Sequence, residues 1–129
     1  MTAPPACPCG SGELLAACCG PLHAGHPAPT AERLMRSRFS AFALGDAAYL
    51  LRSWSRTTRP ASLEVDGGTV WRRLQIVDAV GGGAADAQGV VEFRASYRDA
   101  DGAGLLHERS RFVREDGRWV YVDGDVRSV

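Results

Sequence analysis

All four cysteines of this 129-residue chain fall between positions 7 and 19: Cys7-Pro8-Cys9-Gly10-Ser11-Gly12, five intervening residues, then Cys18-Cys19. Nothing else in the sequence constrains its folding as tightly. Met1 to Ala6 offer neither the basic nor the apolar region of a secretory signal, and no stretch approaches the roughly 20 apolar residues that cross a bilayer. The chain is therefore expected in the cytoplasm, where thiols stay reduced and clustered cysteines point to metal or redox chemistry ahead of disulfides. Cys7 and Cys9 flank Pro8 in a turn, Gly10 and Gly12 let the backbone fold back, and Leu14 to Ala17 are predicted to make a helical turn that presents Cys18 and Cys19. Four thiolates at about 2.3 Å from one ion make a closed, structural zinc site with no position left for a catalytic water. A redox-active Cys18-Cys19 pair and an iron–sulfur or other metal centre are the alternatives. His23 lies four residues beyond Cys19 and is an alternative fourth ligand in its place, whereas His26 reads as a solvated linker residue.

The spacing Cys7-x-Cys9-x8-Cys18-Cys19 resembles the SEC-C zinc motif found at the C-terminus of the preprotein translocase ATPase SecA. The likeness continues through Gly20-Pro21-Leu22-His23, the run Thr30 to Phe42, Thr58-Arg59-Pro60, Leu106 to Phe112 and Gly117 to Gly124. Together these segments resemble the YchJ family over nearly the whole chain, with Phe39 standing where that family usually has Tyr. The resemblance implies a SEC-C finger over residues 1–27, followed by a nuclear transport factor 2-like (cystatin-like) domain over residues 28–129. It also implies a neighbourhood, because SEC-C fingers contact the SecB chaperone and the ribosome. It brings no established activity.

Charge narrows the function classes. Fifteen basic residues balance fifteen acidic ones, every basic residue is Arg, and the chain has no Lys, no Asn and a single Ile, Ile76. The missing residues are those with AT-rich codons, so a GC-rich genome explains the arginines without nucleic acid. The absence of Lys excludes Schiff-base chemistry. Glu13 is the only charged side chain in residues 1–27, so four thiolates and one divalent cation leave that segment with three negative charges. An electropositive nucleic-acid footprint is not to be expected there.

The length suits one domain with a small appendage, divided near Gly25-His26-Pro27-Ala28-Pro29. A finger of about 27 residues is too short to build a core, so the metal must supply its folding energy. From Thr30, an N-cap with Glu32 in the first turn, Leu34, Met35, Phe39, Phe42 and Ala43 recur at helical spacing. Gly45 ends that helix and Asp46 caps the next, in which Tyr49, Leu50, Leu51 and Trp54 look inward. A short helical turn is predicted over Ala61 to Val65. The remainder alternates with period two: Trp71 to Val80, Val90 to Asp99, Leu105 to Glu115 and Arg118 to Asp123. Asp116-Gly117 is a strong two-residue hairpin signal that sets Glu115 opposite Arg118, Val113 opposite Val120 and Phe112 opposite Tyr121. The fold class is therefore α+β, with N-terminal helices packed on a curved antiparallel sheet. Asp99-Ala100-Asp101-Gly102 lacks the later Glu of a calcium loop and is set aside.

Such a cone encloses a space between helix and sheet. The register puts Glu108, Ser110, Phe112, Trp119, Tyr121 and Asp123 on one sheet face, with Arg38 on the helix stripe aimed at Glu108 and Arg59 at the mouth. Arg38, Arg59, Glu108, Ser110, Trp119 and Tyr121 are thus the candidate pocket residues, suited to a small anionic ligand. Three functions compete. The first is an interaction module, with a finger that docks a protein partner and a cone that holds a ligand. The second is a small-molecule enzyme with Glu108 as general acid or base and the two arginines holding an anion. The third is a nucleic-acid or ribosomal RNA binder, against which the neutral net charge argues.

Overall fold

A computed structural model describes residues 4–127. The N-terminal segment closes on itself as a knuckle. Leu15 N–H donates to the Pro5 carbonyl (3.0 Å) and Cys7 N–H to the Glu13 carbonyl (2.9 Å), around a tip where Gly10 and Gly12 take positive φ of 80° and 88°. A 3₁₀ turn over Leu15–Ala17 and helix α1 (Cys19–His23) complete it. Gly20 is required where these meet, because a Cβ there would lie 2.7 Å from the Leu15 carbonyl oxygen.

Helix α2 (Ala31–Leu44) begins and ends where the sequence places it. Thr30 Oγ1 accepts the Arg33 N–H at 3.1 Å, and Gly45 closes the helix with φ 74°. Asp46 then caps α3 (Ala47–Arg52) by accepting the Tyr49 N–H at 3.0 Å. The burial of α2 departs from a single apolar stripe. Ala43 is exposed, while Ala41, Ser37 and Ser40 are wholly buried. The helix is covered on two sides, by the sheet and by the knuckle, so small polar residues are enclosed along with the apolar ones. No helical turn forms at residues 61–65. That segment is irregular, and its Leu63 and Val65 pack against the core.

Four strands, β1 (Val70–Gly81), β2 (Gln88–Asp99), β3 (Gly102–Glu115) and β4 (Arg118–Val126), form an antiparallel meander in chain order. On β2 the alternation is as read: Val91, Phe93 and Ala95 are buried against the helices, with Glu92, Arg94 and Ser96 on the opposite face. The β3–β4 hairpin turns on Asp116 (φ 53°) and Gly117 (φ 80°) and pairs Glu115 with Arg118, Val113 with Val120 and Phe112 with Tyr121. Beyond Tyr121 the register slips, because Arg111 pairs with Asp123 and Val122 is left over as a bulge. The slip overturns the expected placement of Asp123 on the inner face. It lies on the outer face, where its carboxylate accepts from Arg111 Nε at 2.5 Å. The edge of β4 is covered by residues 53–55: Tyr121 N–H donates to the Ser53 carbonyl and Ser55 N–H to the Tyr121 carbonyl.

Leu50, with no exposed surface, belongs to the core cluster shared by helices and sheet. Leu50→Ala is expected to destabilise the chain by about 2–5 kcal/mol, read as a lowered denaturation midpoint with an unchanged m-value.

Candidate metal centre

The knuckle brings Cys7, Cys9, Cys18 and Cys19 together so that all four sulfurs lie within 4.8 Å of one another. Cys9 and Cys18 Sγ are 3.6 Å apart, and Cys18 and Cys19 Sγ 4.0 Å. These are not bonded sulfurs, since a disulfide needs about 2.05 Å. All four side chains are buried. Burial pushes the Cys7 thiol up, but hydrogen bonds from Ser40 and from the Cys9 and Cys19 backbone outweigh it and bring its pKa to about 6. Burial and neighbouring thiols push Cys9 and Cys19 up. Four sulfurs so placed ionise together only around a cation, and the arrangement fits one metal ion.

Helix α2 supplies the surroundings. Arg33 Nη1 donates to Cys18 Sγ (3.5 Å) and Nη2 to the Cys18 carbonyl (3.0 Å). Arg36 Nη1 reaches the Cys9 carbonyl (3.4 Å), and Ser40 Oγ sits 3.5 Å from Cys7 Sγ. The knuckle itself adds Ser11 Oγ, 3.2 Å from Cys18 Sγ. Sequence reasoning missed Arg33, Arg36 and Ser40, although their spacing of three and four residues puts them on one helix face. His23 stays out of the cluster. Its Nε2–H donates to the Ser37 carbonyl (2.8 Å) and its ring packs on Tyr49.

Between helix and sheet, four of the six candidate pocket residues meet. Arg38, 3% exposed, donates through Nη1 to the Leu50 carbonyl (2.8 Å) and Ser53 Oγ (2.7 Å). Its guanidinium lies over the rings of Tyr121 (4.6 Å) and Trp54 (5.1 Å). Burial draws its pKa down to about 10, with Tyr121, Tyr49 and Glu108 opposing. Glu108 does not pair with Arg38. It accepts instead from Ser110 Oγ (2.5 Å) and from the Tyr121 hydroxyl (3.3 Å). Burial, then the Glu108 charge, pushes the Tyr121 phenol up. The remaining two residues stand apart. Arg59 is exposed and donates twice to the Trp54 carbonyl, while Trp119 lies buried under the Arg114 guanidinium. Ser53 belongs to this cluster and was not singled out from the sequence, while Trp54, expected to look inward from the second helix, joins it from just beyond that helix's end.

Residues 30–124 match the family model described as YchJ, middle NTF2-like domain, and residues 6–21 match the SEC-C motif. A UPF0225 protein of Streptomyces coelicolor is 56% identical over 126 residues, covering 97% of this chain and 98% of that protein. The chain belongs to the YchJ (UPF0225) family. A UPF0225 protein of Chromobacterium violaceum is 52% identical over 126 residues, covering 94% and 93% of the two chains. Among solved structures, a SEC-C motif-containing protein from Rhodopseudomonas palustris superposes with a TM-score of 0.81 at 32% identity, over 95% of this chain and 98% of that one. A SEC-C motif-containing protein from Psychrobacter arcticus gives 0.76 at 28% identity, over 95% and 83%. Among the described residues no helix is long and apolar enough to cross a membrane.

Side chains that orient metal ligands typically change affinity by about 10–100-fold when removed. Arg33→Ala is therefore expected to weaken metal retention by about tenfold, measured by competition with a chromogenic chelator.

Proposed function

We propose that the YchJ-family knuckle holds one structural Zn²⁺ and serves as a cytoplasmic protein-interaction module, coupled to a small-ligand site in the α+β cone. The observation that carries the metal is the sulfur geometry. A tetrahedral zinc with Zn–S bonds of about 2.3 Å sets its ligands about 3.8 Å apart, and the Cys9–Cys18 and Cys18–Cys19 separations, 3.6 and 4.0 Å, bracket that value. Cys7, Cys9, Cys18 and Cys19 would all be ligands. Zinc held by four thiolates has no open position, so it supplies folding energy and a rigid surface.

That surface is apolar on one side. Pro4, Pro5, Leu15, Ala16, Pro21 and Ala24 line an open groove of about 510 Å³, and Leu14 beside it is half exposed. Exposed apolar surface rimmed by polar groups suits a protein partner. By family resemblance, a SecB-type chaperone or the ribosome is the partner to test. In the cone, Arg38, Glu108, Ser110 and Tyr121 gather a cation, a carboxylate and two hydroxyls in one place, the few polar groups by which a site orients a small ligand, with Arg38 as the group for an anionic one. The same constellation supports the alternative of a small-molecule enzyme, in which Glu108 exchanges a proton with ligand while Tyr121 and Ser110 hold its carboxylate in place.

Two variants separate the claims. Native mass spectrometry of the untagged protein is expected to give one chain plus one zinc, and Cys18→Ser to lose the metal. Leu15→Glu is expected to keep the metal but to lose binding to purified SecB-type chaperone or to ribosomes in co-sedimentation. Binding to either that survives both substitutions would remove the interaction reading, and another metal in the wild-type protein would remove the zinc assignment.

A further inference from the structure

The outer face of the sheet, opposite the helices, is divided by charge. Toward one end its acids and arginines are matched. Arg109 donates to Asp78 (3.0 Å) and Glu92 (3.0 Å), His107 Nε2 lies 2.8 Å from Glu92, and Arg111 donates to Asp123 (2.5 Å) and Asp125 (2.9 Å). Toward the other end the matching stops. Arg73 and Arg94 make no ion pair among the described residues, and Glu92, two residues from Arg94 on the same face, is taken by His107 and Arg109.

The register explains why these two arginines share a site. Two adjacent rows cross the three strands: Arg73, Ser96 and Leu105 in one, and Gln75, Arg94 and His107 in the next. His107 is committed to Glu92, which leaves Arg73, Arg94, Gln75 and Ser96 as polar groups around a depression of about 280 Å³, with Leu105 as its apolar lining. Arg94 is only partly exposed, and its Nε is buried with no acceptor. Buried donors in native proteins nearly always have partners, and a guanidinium cannot shed its proton to avoid the need. A chain whose charges sum to zero has thus set aside two unmatched cations and a buried, unanswered donor within one small hollow.

We infer that the hollow bounded by Arg73, Gln75, Arg94 and Ser96 binds a small dianionic oxyanion. The planar fork of Arg94 would take two oxygens at once through Nε and one Nη. Arg73 would add the second charge, the Gln75 amide would donate to a remaining oxygen, and the Ser96 hydroxyl would do so by turning from its long 3.5 Å bond to the Arg73 carbonyl. Phosphate monoesters and dicarboxylates share this chemistry. The site is separate from both the thiol cluster and the Arg38–Glu108 group, because it lies on the other side of the sheet.

The test is a ¹H–¹⁵N titration of the metal-loaded full chain at low ionic strength. The probes are inorganic phosphate, phosphoserine and succinate, and the signals are the Arg94 Nε–Hε resonance and the amides of Gln75, Ser96 and Leu105. Saturable shifts are expected with at least one probe, and comparing phosphoserine with succinate decides between the two sources. Arg94→Gln should weaken binding by about tenfold, and Arg94→Lys, which keeps the charge but loses the fork, should recover only part of it. Arg109→Gln should leave binding unchanged. Shifts that stay linear with every probe, or saturate equally in the wild type and both Arg94 variants, would overturn the assignment.

Discussion

Four thiols gathered into one buried volume repel each other as soon as they ionise, and a segment this short has no core with which to oppose that repulsion. A cation among them reverses the sign of the problem. With a divalent ion in place the cluster still carries excess negative charge, and α2 answers it with Arg33 and Arg36 directed at the two halves of the knuckle. The knuckle is therefore completed by the domain that follows it. Ser40 beneath Cys7 and the carbonyl of Ser37 held by His23 extend the same arrangement.

Helix α2 consequently serves two structures at once. Toward the knuckle it shows arginines and hydroxyls, and toward the sheet it shows Leu34, Phe39 and the stem of Arg38, with Phe39 edge-on to Trp71. Among the described residues Arg38 is the only guanidinium enclosed in the core, and it is accommodated by two aromatic faces and neutral acceptors in place of a carboxylate. Desolvated ion pairs gain little over such arrangements. Glu108 is free in consequence to hold Ser110 and Tyr121.

Much of this was legible in the residues. The cysteine spacing gave the thiol cluster, Thr30, Gly45 and Asp46 gave the helix ends, and Asp116-Gly117 gave the hairpin and its register as far as Tyr121. Signals of this kind are local, set by backbone sterics and by donors within three or four residues. What escaped depends on distant packing. Ser37 and Ser40 look like solvent-facing positions until the knuckle is laid over them. Arg38 on α2 and Glu108 on β3 do not pair, because each is engaged by Tyr121, the guanidinium over its ring and the carboxylate by its hydroxyl. The stretch from Ala61 to Val65 has helical composition but forms no helix, with Leu63 and Val65 drawn onto the core.

The bulge at Val122 governs what the end of β4 can do. Its carbonyl, released from the ladder, accepts the Thr58 hydroxyl at 2.6 Å, and the alternation beyond it is inverted. Asp123 and Asp125 face outward to Arg111, while Gly124 faces inward and leaves the room that Glu108 occupies. Register at this point is thus a chemical variable. Pairing Val122 into the ladder opposite Arg111 would turn Asp123 and Asp125 inward, exchange a glycine for an acid beside Glu108 and take both counter-charges from Arg111 without altering any residue's identity. In this strand, counting decides what composition cannot.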